Sequence, residues 1–427
     1  MLKKVLFSIS LLISGYSIAQ NSTASPYSLG GLGDVTFRGN AINRMMGGIS
    51  VYADSIHANL NNPASLGELK LTTFSVGVHY RNTQLISDET NENVASGSLD
   101  YIAVSIPTKH FSFSFGVMPF SSVGYQLQSL DDTNEQNILN RYEGKGGVNK
   151  TFISVGLKVF KFLNIGGTLN FNFGSISSDA SRQEENVDFG TFLRNSSQIR
   201  GIDYQLGAHL KVPLSKKFSI DAFATFSPEH SLTSENEQSF FTRSVTTQTV
   251  GTVIEVDLAD QNLDKVDLTI GSKYELGLGF GQDKKWLLGA QYTAINSGNF
   301  QNDFIQLNNV SYENGSRLSV GGYFIPNYSS ITNYWKRMAF RAGFRQEISG
   351  IMINNTSLEE TGISFGVSLP LGGYYSAANV AGYSSLNIGF ELGKRGVNTN
   401  GLIEENYWSI RVGASLNDLW FIKRKYN

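Results

Sequence analysis

The chain contains no cysteine in its 427 residues, which removes a disulfide framework and any thiolate zinc site. It also lacks an excess of charge of either sign: 34 Lys and Arg against 36 Asp and Glu give a net charge of −2 and a pI near 6.2. That balance gives no nucleic-acid footprint and points to no acidic partner. Beyond residue 19 no apolar run approaches the roughly 20 residues that a membrane helix needs. The five histidines (His57, His79, His110, His209, His230) show no paired metal spacing. The one Gly-x-Ser-x-Gly match, Gly362-Ile363-Ser364-Phe365-Gly366, lies inside an alternating stretch and not at a strand-to-helix elbow, and the glycine pairs Gly30-Gly31 and Gly321-Gly322 have no following lysine and helix to make a phosphate cradle. No cofactor, no metal and no enzymatic activity are expected. A Ser-His-Asp lipid hydrolase is not excluded by linear order alone. Acidic pieces such as Asp88-Glu89, Asp131-Asp132 and Glu184-Glu185 read as solvated loop charge.

What the chain has in quantity is glycine, at 44 residues, and Phe plus Tyr, at 28 and 19, while charged residues make up only 16%. Such a mixture favours strands and tight turns. Met1 to Ala19 carries the parts of a secretory signal peptide. Lys3 and Lys4 precede the apolar run Val5–Ile13, and Ser17-Ile18-Ala19 supplies small residues before Gln20. The mature chain is therefore expected to be exported.

From Lys70 onward the apolar residues alternate with period two. Fourteen such stretches are readable, beginning with Phe74, Val76, Val78 and Tyr80 and ending with Trp408, Ile410, Val412 and Ala414. Their connections alternate as well. Tight turns are expected near Pro107-Thr108, Lys161, Leu214-Ser215 and Gln282-Asp283. Long polar loops are expected at 82–94, 121–144, 175–199, 227–267 and 296–315, with a further external hairpin within 244–256. Short turns at one end, long connections at the other and an even strand number describe an outer-membrane barrel. The expected fold class is all-β, a 14-stranded antiparallel transmembrane β-barrel located in the cell outer membrane and bathed by outer-membrane lipid.

Charge parity fixes the faces. His79, His209, Lys211, Lys273, Glu275, Arg341, Arg345, Glu391 and Arg411 each stand opposite an apolar neighbour, so these nine are the candidate lumen-lining residues. A cation on the lipid face at mid-bilayer costs about 2–4 kcal/mol, so the ionic set belongs inside. His79 and His209 are the candidates for touching a polar group of a ligand.

Before the barrel lies a glycine-rich stretch, 24–70, that does not alternate. A barrel of about 14 strands falls between those that fill themselves and those that leak. This stretch is the expected plug. Asn62 is expected to cap a short helical turn, with Pro63 at its first position. The expected organisation is a signal peptide at 1–19, a hatch at 20–70, the barrel at 71–416 and a basic aromatic tail at 417–427.

Gly31-Leu32-Gly33, then Asn62-Pro63-Ala64, then Thr73-Phe74-Ser75-Val76-Gly77 resemble the hatch and first strand of the long-chain fatty acid transporter (FadL-like) family. Asn62, Pro63 and Ala64 are the positions that match the motif. The resemblance implies passive uptake of hydrophobic small molecules, such as fatty acids, alkanes or aromatics, past a hatch and through a lateral opening. The tail from Asn417 to Asn427, with Ile325-Pro326-Asn327-Tyr328, is similar to FadL-like barrels of Bacteroidota. Some members of that group are subunits of the type IX secretion system. The alternative implied role is a non-transporting accessory or plug barrel in such a translocon or another outer-membrane complex, with a protein partner in that complex.

Overall fold

The computed structural model describes residues 22–35, 39–131, 137–307, 309–371 and 384–419. The leader at 1–19 and the tail from Trp420 onward lie outside the described residues. Nineteen strand segments form one sheet. Two of them, Asp34–Val35 and Val310–Tyr312, are not wall strands. Brief interruptions divide two of the long strands, so the wall has 14 strands.

In chain order these are β1 (Thr72–Ile86), β2 (Asn91–Pro107), β3 (Phe111–Asp131), β4 (Ile138–Lys158), β5 (Leu163–Glu184) and β6 (Phe189–Pro213). Then come β7 (Ser219–Ser227 continued by His230–Ser244) and β8 (Val250–Glu255, Lys265–Ile270 and Lys273–Gln282). The circuit continues with β9 (Trp286–Ile295), β10 (Gly315–Phe324), β11 (Ala339–Ile353) and β12 (Thr356–Leu371). It ends with β13 (Ser384–Arg395) and β14 (Glu404–Asp418). All wall pairings are antiparallel, and β14 closes on β1 from Glu404↔Ile86 to Asp418↔Thr72.

Inside–outside alternation follows the sequence pattern. On β10, Arg317, Ser319 and Tyr323 are buried while Leu318, Val320 and Phe324 are exposed to the bilayer. The short turns fall at 108–110, 159–162, 214–218 and 283–285.

The long loops are a correction. Most of 82–94, 121–144 and 175–199 is strand, so that β3, β4, β5 and β6 run for 21, 21, 22 and 25 residues. Above the bilayer both faces of a hairpin meet water. The apolar alternation therefore disappears although the ladder continues. Only the four residues 87–90 separate β1 from β2. The segment 227–267 is likewise mostly strand, and it contains a hairpin in which Val250–Glu255 pairs with the outer part of β7.

The described residues between 22 and 71 form an irregular, largely buried body inside this wall. It has a one-turn helix, Ala41–Arg44, capped by the Asn40 side chain, and a 3-10 turn, Pro63–Glu68. A second correction concerns Asn62. It occupies the cap position, but its side chain makes no capping bond, and both of its polar atoms are buried without a partner. Ser65 satisfies the turn instead, with its hydroxyl donating to the Asn62 carbonyl at 2.6 Å.

Candidate functional site

The inner body is seated on rows of glycine that run across neighbouring strands. Gly156 of β4, Gly166 of β5 and Gly207 of β6 are in register. A Cβ on Gly166 would lie 2.5 Å from the Pro63 carbonyl carbon and 2.6 Å from the Ala64 nitrogen. A Cβ on Gly156 would lie 2.7 Å from the Pro63 oxygen. A second row, Gly279, Gly289, Gly321 and Gly343 on β8 to β11, receives the backbone of Met46 and Gly47 and the side chain of Val51. Asn62-Pro63-Ala64 therefore rests on strand backbone at a distance that no side chain would allow.

Ion pairs anchor the same body. Arg44, from the one-turn helix, reaches Glu391 of β13 at 2.9 Å, and both side chains are almost fully buried. Glu391 also pairs with Arg345, and Arg411 approaches it at 3.6 Å. Arg345 pairs in turn with Glu360 and donates to the Tyr407 hydroxyl at 2.7 Å. Arg411 holds Asp100 at 3.1 Å, and Asp100 bonds His79 at 2.5 Å. A second anchor lies nearer the outside, where Asp34 pairs with Arg395 at 3.2 Å and Ser25 donates to Glu405. Beside it the Tyr27 hydroxyl bonds the backbone of Ile403, and burial together with Glu405 pushes that hydroxyl up to about 12. Partnered in this way, ions this deep are tolerated; removing one partner leaves a buried charge uncompensated.

A cavity of about 270 Å³ opens on the outer side of this body. Leu32, Leu60, Phe120, Ile270, Phe300 and Tyr312 supply an apolar lining. Burial pushes the Tyr312 hydroxyl up to about 12, so it remains neutral there. The opposite side is polar. Lys150 faces Asp203 at 3.4 Å, Asn170 and Asn172 donate to that carboxylate at 2.6 and 2.7 Å, and His230 stands 4.0 Å from it. Lys273 and Arg317 flank Glu275, each at 3.4 Å.

Next to the cavity the wall is incomplete. β2 and β3 pair only from Ile102↔Val117 to Pro107↔Ser112, although β2 begins at Asn91 and β3 runs on to Asp131. Each keeps its other neighbour along its length. Pairing ends at Val117, two residues before Pro119, and β3 carries a bulge against β4 between Pro119 and Ser121. Proline has no amide for the ladder, so it suits a strand whose neighbour departs. The hatch strand Asp34–Val35 pairs with Ser122 and Ser121 on this free edge, and Val35 is half exposed. A groove of about 600 Å³ borders the gap and is lined by Ser98, Leu99 and Ser121. Met118 and Pro119 line both the groove and the cavity. Pro119, inside an otherwise regular strand pattern, was the signal for this gap.

The nine candidate lumen residues divide into groups. Arg345, Glu391, Arg411 and His79 join the network that holds Arg44; Lys273 lines the cavity, and Glu275 pairs with it from a fully buried position. Arg341 donates to Ser368, Lys211 pairs with Asp283 in the β8–β9 turn at 2.7 Å, and His209 is fully buried 3.5 Å from Asp221. Neither His79 nor His209 lines the cavity; the histidine that does is His230. Arg44, Asp34, Arg395 and Asp203 are the consequential residues that parity alone did not select. Arg44 had a signal, as the one charge in the apolar piece 41–49.

A Ser-His-Asp geometry does occur. Ser385 Oγ lies 3.4 Å from His57 Nε2, and His57 Nδ1 lies 2.7 Å from Asp54 Oδ2. Burial alone would raise the Asp54 carboxyl; the His57 ring, the Tyr52 hydroxyl and the Ile56 amide hold it below the ordinary range. Ser385 is 1% exposed, and neither cavity borders the three residues. Here the three residues tie the hatch to the periplasmic end of β13.

The closed 14-strand wall, with the N-terminal body seated inside it and a stretch of missing strand pairing beside that body, has the fold of the FadL-like barrels. The toluene transporter TbuX of Ralstonia pickettii superposes with a TM-score of 0.57 at 14% identity, covering 89% of this chain and 98% of that one. The toluene transporter TodX of Pseudomonas putida gives 0.56 at 13%, covering 90% and 99%. A FadL homologue of Pseudomonas aeruginosa gives 0.56 at 11%, covering 89% and 98%. No curated protein matches the sequence. Within the barrel class, the BamG family model matches residues 1–427, and the chain belongs to the BamG family.

Proposed function

We propose that this barrel passes hydrophobic small molecules across the outer membrane without catalysis, through the cavity and out sideways between β2 and β3. The observation that carries the reading is the unpaired stretch of wall, with a part-apolar cavity on its inner side and a groove on its outer side that share Met118 and Pro119. An apolar solute is poorly soluble in water and blocked by the polar outer leaflet. A side exit delivers it to hydrocarbon without a second dehydration step. The solved barrels of the same fold include two described as toluene transporters, which supports an apolar cargo. The hatch strand Asp34–Val35 acts as the gate, because it occupies the β3 edge where β2 has left.

A disulfide staple tests this directly, and the chain has no cysteine to interfere. Val35 and Ser121 are opposite partners. Opposite antiparallel positions stand about 4.5–5.5 Å apart at Cα, within the disulfide range. With V35C/S121C oxidised, uptake of labelled toluene, hexadecane and oleate by whole cells is expected to fall to that of the deletion strain and to return on reduction. Uptake indifferent to oxidation, with the staple confirmed by mass, would sink the gating role. Indifference to deletion of the whole gene would favour the accessory-subunit reading.

A further inference from the structure

The outer segment of β8, Val250–Glu255, is paired on one side only. It bonds to β7 through Val253↔Phe241, Ile254↔Phe240 and Glu255↔Ser239, and among the described residues nothing pairs with its other edge. The Val256 amide bonds the Gln238 carbonyl at 2.9 Å, so strand alternation turns the amides and carbonyls of Val253 and Glu255 outward. All six residues are exposed, with Val253 at 53% and Ile254 at 60%, and Phe240 beside them at 42%. Natural edge strands are guarded by lysine, proline or inward charge. The run Val250-Gly-Thr-Val-Ile-Glu-Val256 has no lysine or proline, and its bulge between Val250 and Val253 leaves the second half regular. Glu255, Asp257, Asp260 and Asp264 follow, with Lys265 as the single cation between 255 and 265.

We propose that this edge takes up an extended basic segment of another outer-surface protein as an added strand. Backbone pairing at Val253 and Glu255 supplies the affinity, Val253 and Ile254 pack against apolar side chains, and the acidic run selects cations. The same run repels the phosphates of lipopolysaccharide. A second copy paired antiparallel would set the acidic run against the uncharged turn 245–249, leaving it unmatched.

The test uses the full-length protein in detergent with two short synthetic peptides, one alternating Val and Lys, the other Val and Glu. The Val/Lys peptide is expected to bind and to slow hydrogen exchange at 253 and 255, and the Val/Glu peptide to bind at least about tenfold more weakly. V253P, which deletes an outward amide, and the charge-neutral set E255Q/D257N/D260N/D264N are each expected to weaken Val/Lys binding by about tenfold or more. Equal binding of both peptides, absence of binding, or indifference to both variants would overturn the proposal. In intact cells, a photo-crosslinking residue at 253 is expected to label a segment of net positive charge in another protein. Adducts formed only with lipopolysaccharide or with a second copy of the chain would overturn it as well.

Discussion

Glu391 is one carboxylate set among three guanidiniums, those of Arg44, Arg345 and Arg411. Its removal and the removal of Arg44 are not equivalent changes. Glu391→Ala strips the common partner from three buried cations, and such a loss costs about 3–5 kcal/mol. Arg44→Ala leaves Glu391 with two cations on the wall, so about 1–3 kcal/mol is expected. Thermal unfolding in detergent should rank E391A well below R44A, whereas limited proteolysis should show the hatch freed in both. The opposite ranking would make Arg44, not the wall carboxylate, the centre of the anchor. Asn62 behaves differently from what its place in the motif suggests. Its buried amide bonds nothing, so Asn62→Ala is expected to change stability by less than about 1 kcal/mol. Pro63→Gly releases the fixed start of the turn and should raise sensitivity to erythromycin; if N62A alone does so, the unpaired amide has a bonding role that the structure does not show.

Among elements, the glycine rows matter most. Gly166→Val drives a side chain into the backbone of Pro63 and Ala64, which cannot yield as a flexible side chain would. Overpacking of this kind costs about 1–3 kcal/mol and should be relieved by lifting the turn, read as new protease cleavage between 63 and 68. Gly167 is the matched control: the nearest atoms to its Cβ position stand 3.7 Å away, so Gly167→Ala should leave the cleavage pattern unchanged. Cleavage in both variants, or in neither, would separate the turn from its seat. The wall strands were legible in the sequence because lipid and lumen impose opposite demands on alternate residues, as at Phe340-Arg341 and Phe344-Arg345. The outer halves of β3 to β6 were not, since water on both faces removes that contrast. Missing pairs between β2 and β3 leave almost no compositional trace apart from Pro119. The contacts of Arg44 with Glu391 and of Asp34 with Arg395 join residues more than 300 apart in sequence, and no local pattern reports them.

For the whole molecule, the question is whether wall and hatch are one folding unit. The hatch contributes one cation, Arg44, and two carboxylates, Asp34 and Glu68, to its ion pairs with the wall, and the Lys158 that Glu68 leaves behind is half exposed to solvent. Without the hatch the wall still carries Arg345, Arg395 and Arg411 against Glu360, Glu391 and Glu405, so the lumen residues that remain can pair among themselves. The ladder closes from β14 to β1 with no hatch residue in it, although Asp34–Val35 rests on one free edge. Deleting residues 22–69 while keeping the leader is therefore expected to yield a barrel that inserts and shows the gel shift of a heat-modifiable outer-membrane protein. Its lumen should be open, because about 14 strands exceed the number that side chains alone can fill. Cells carrying it should become sensitive to erythromycin and vancomycin, and the purified barrel should conduct ions in planar bilayers. Failure to insert would show that the glycine rows need their occupant during folding. Insertion with no gain in conductance would mean that the wall collapses onto its own charges, and that the hatch holds the lumen apart instead of closing it.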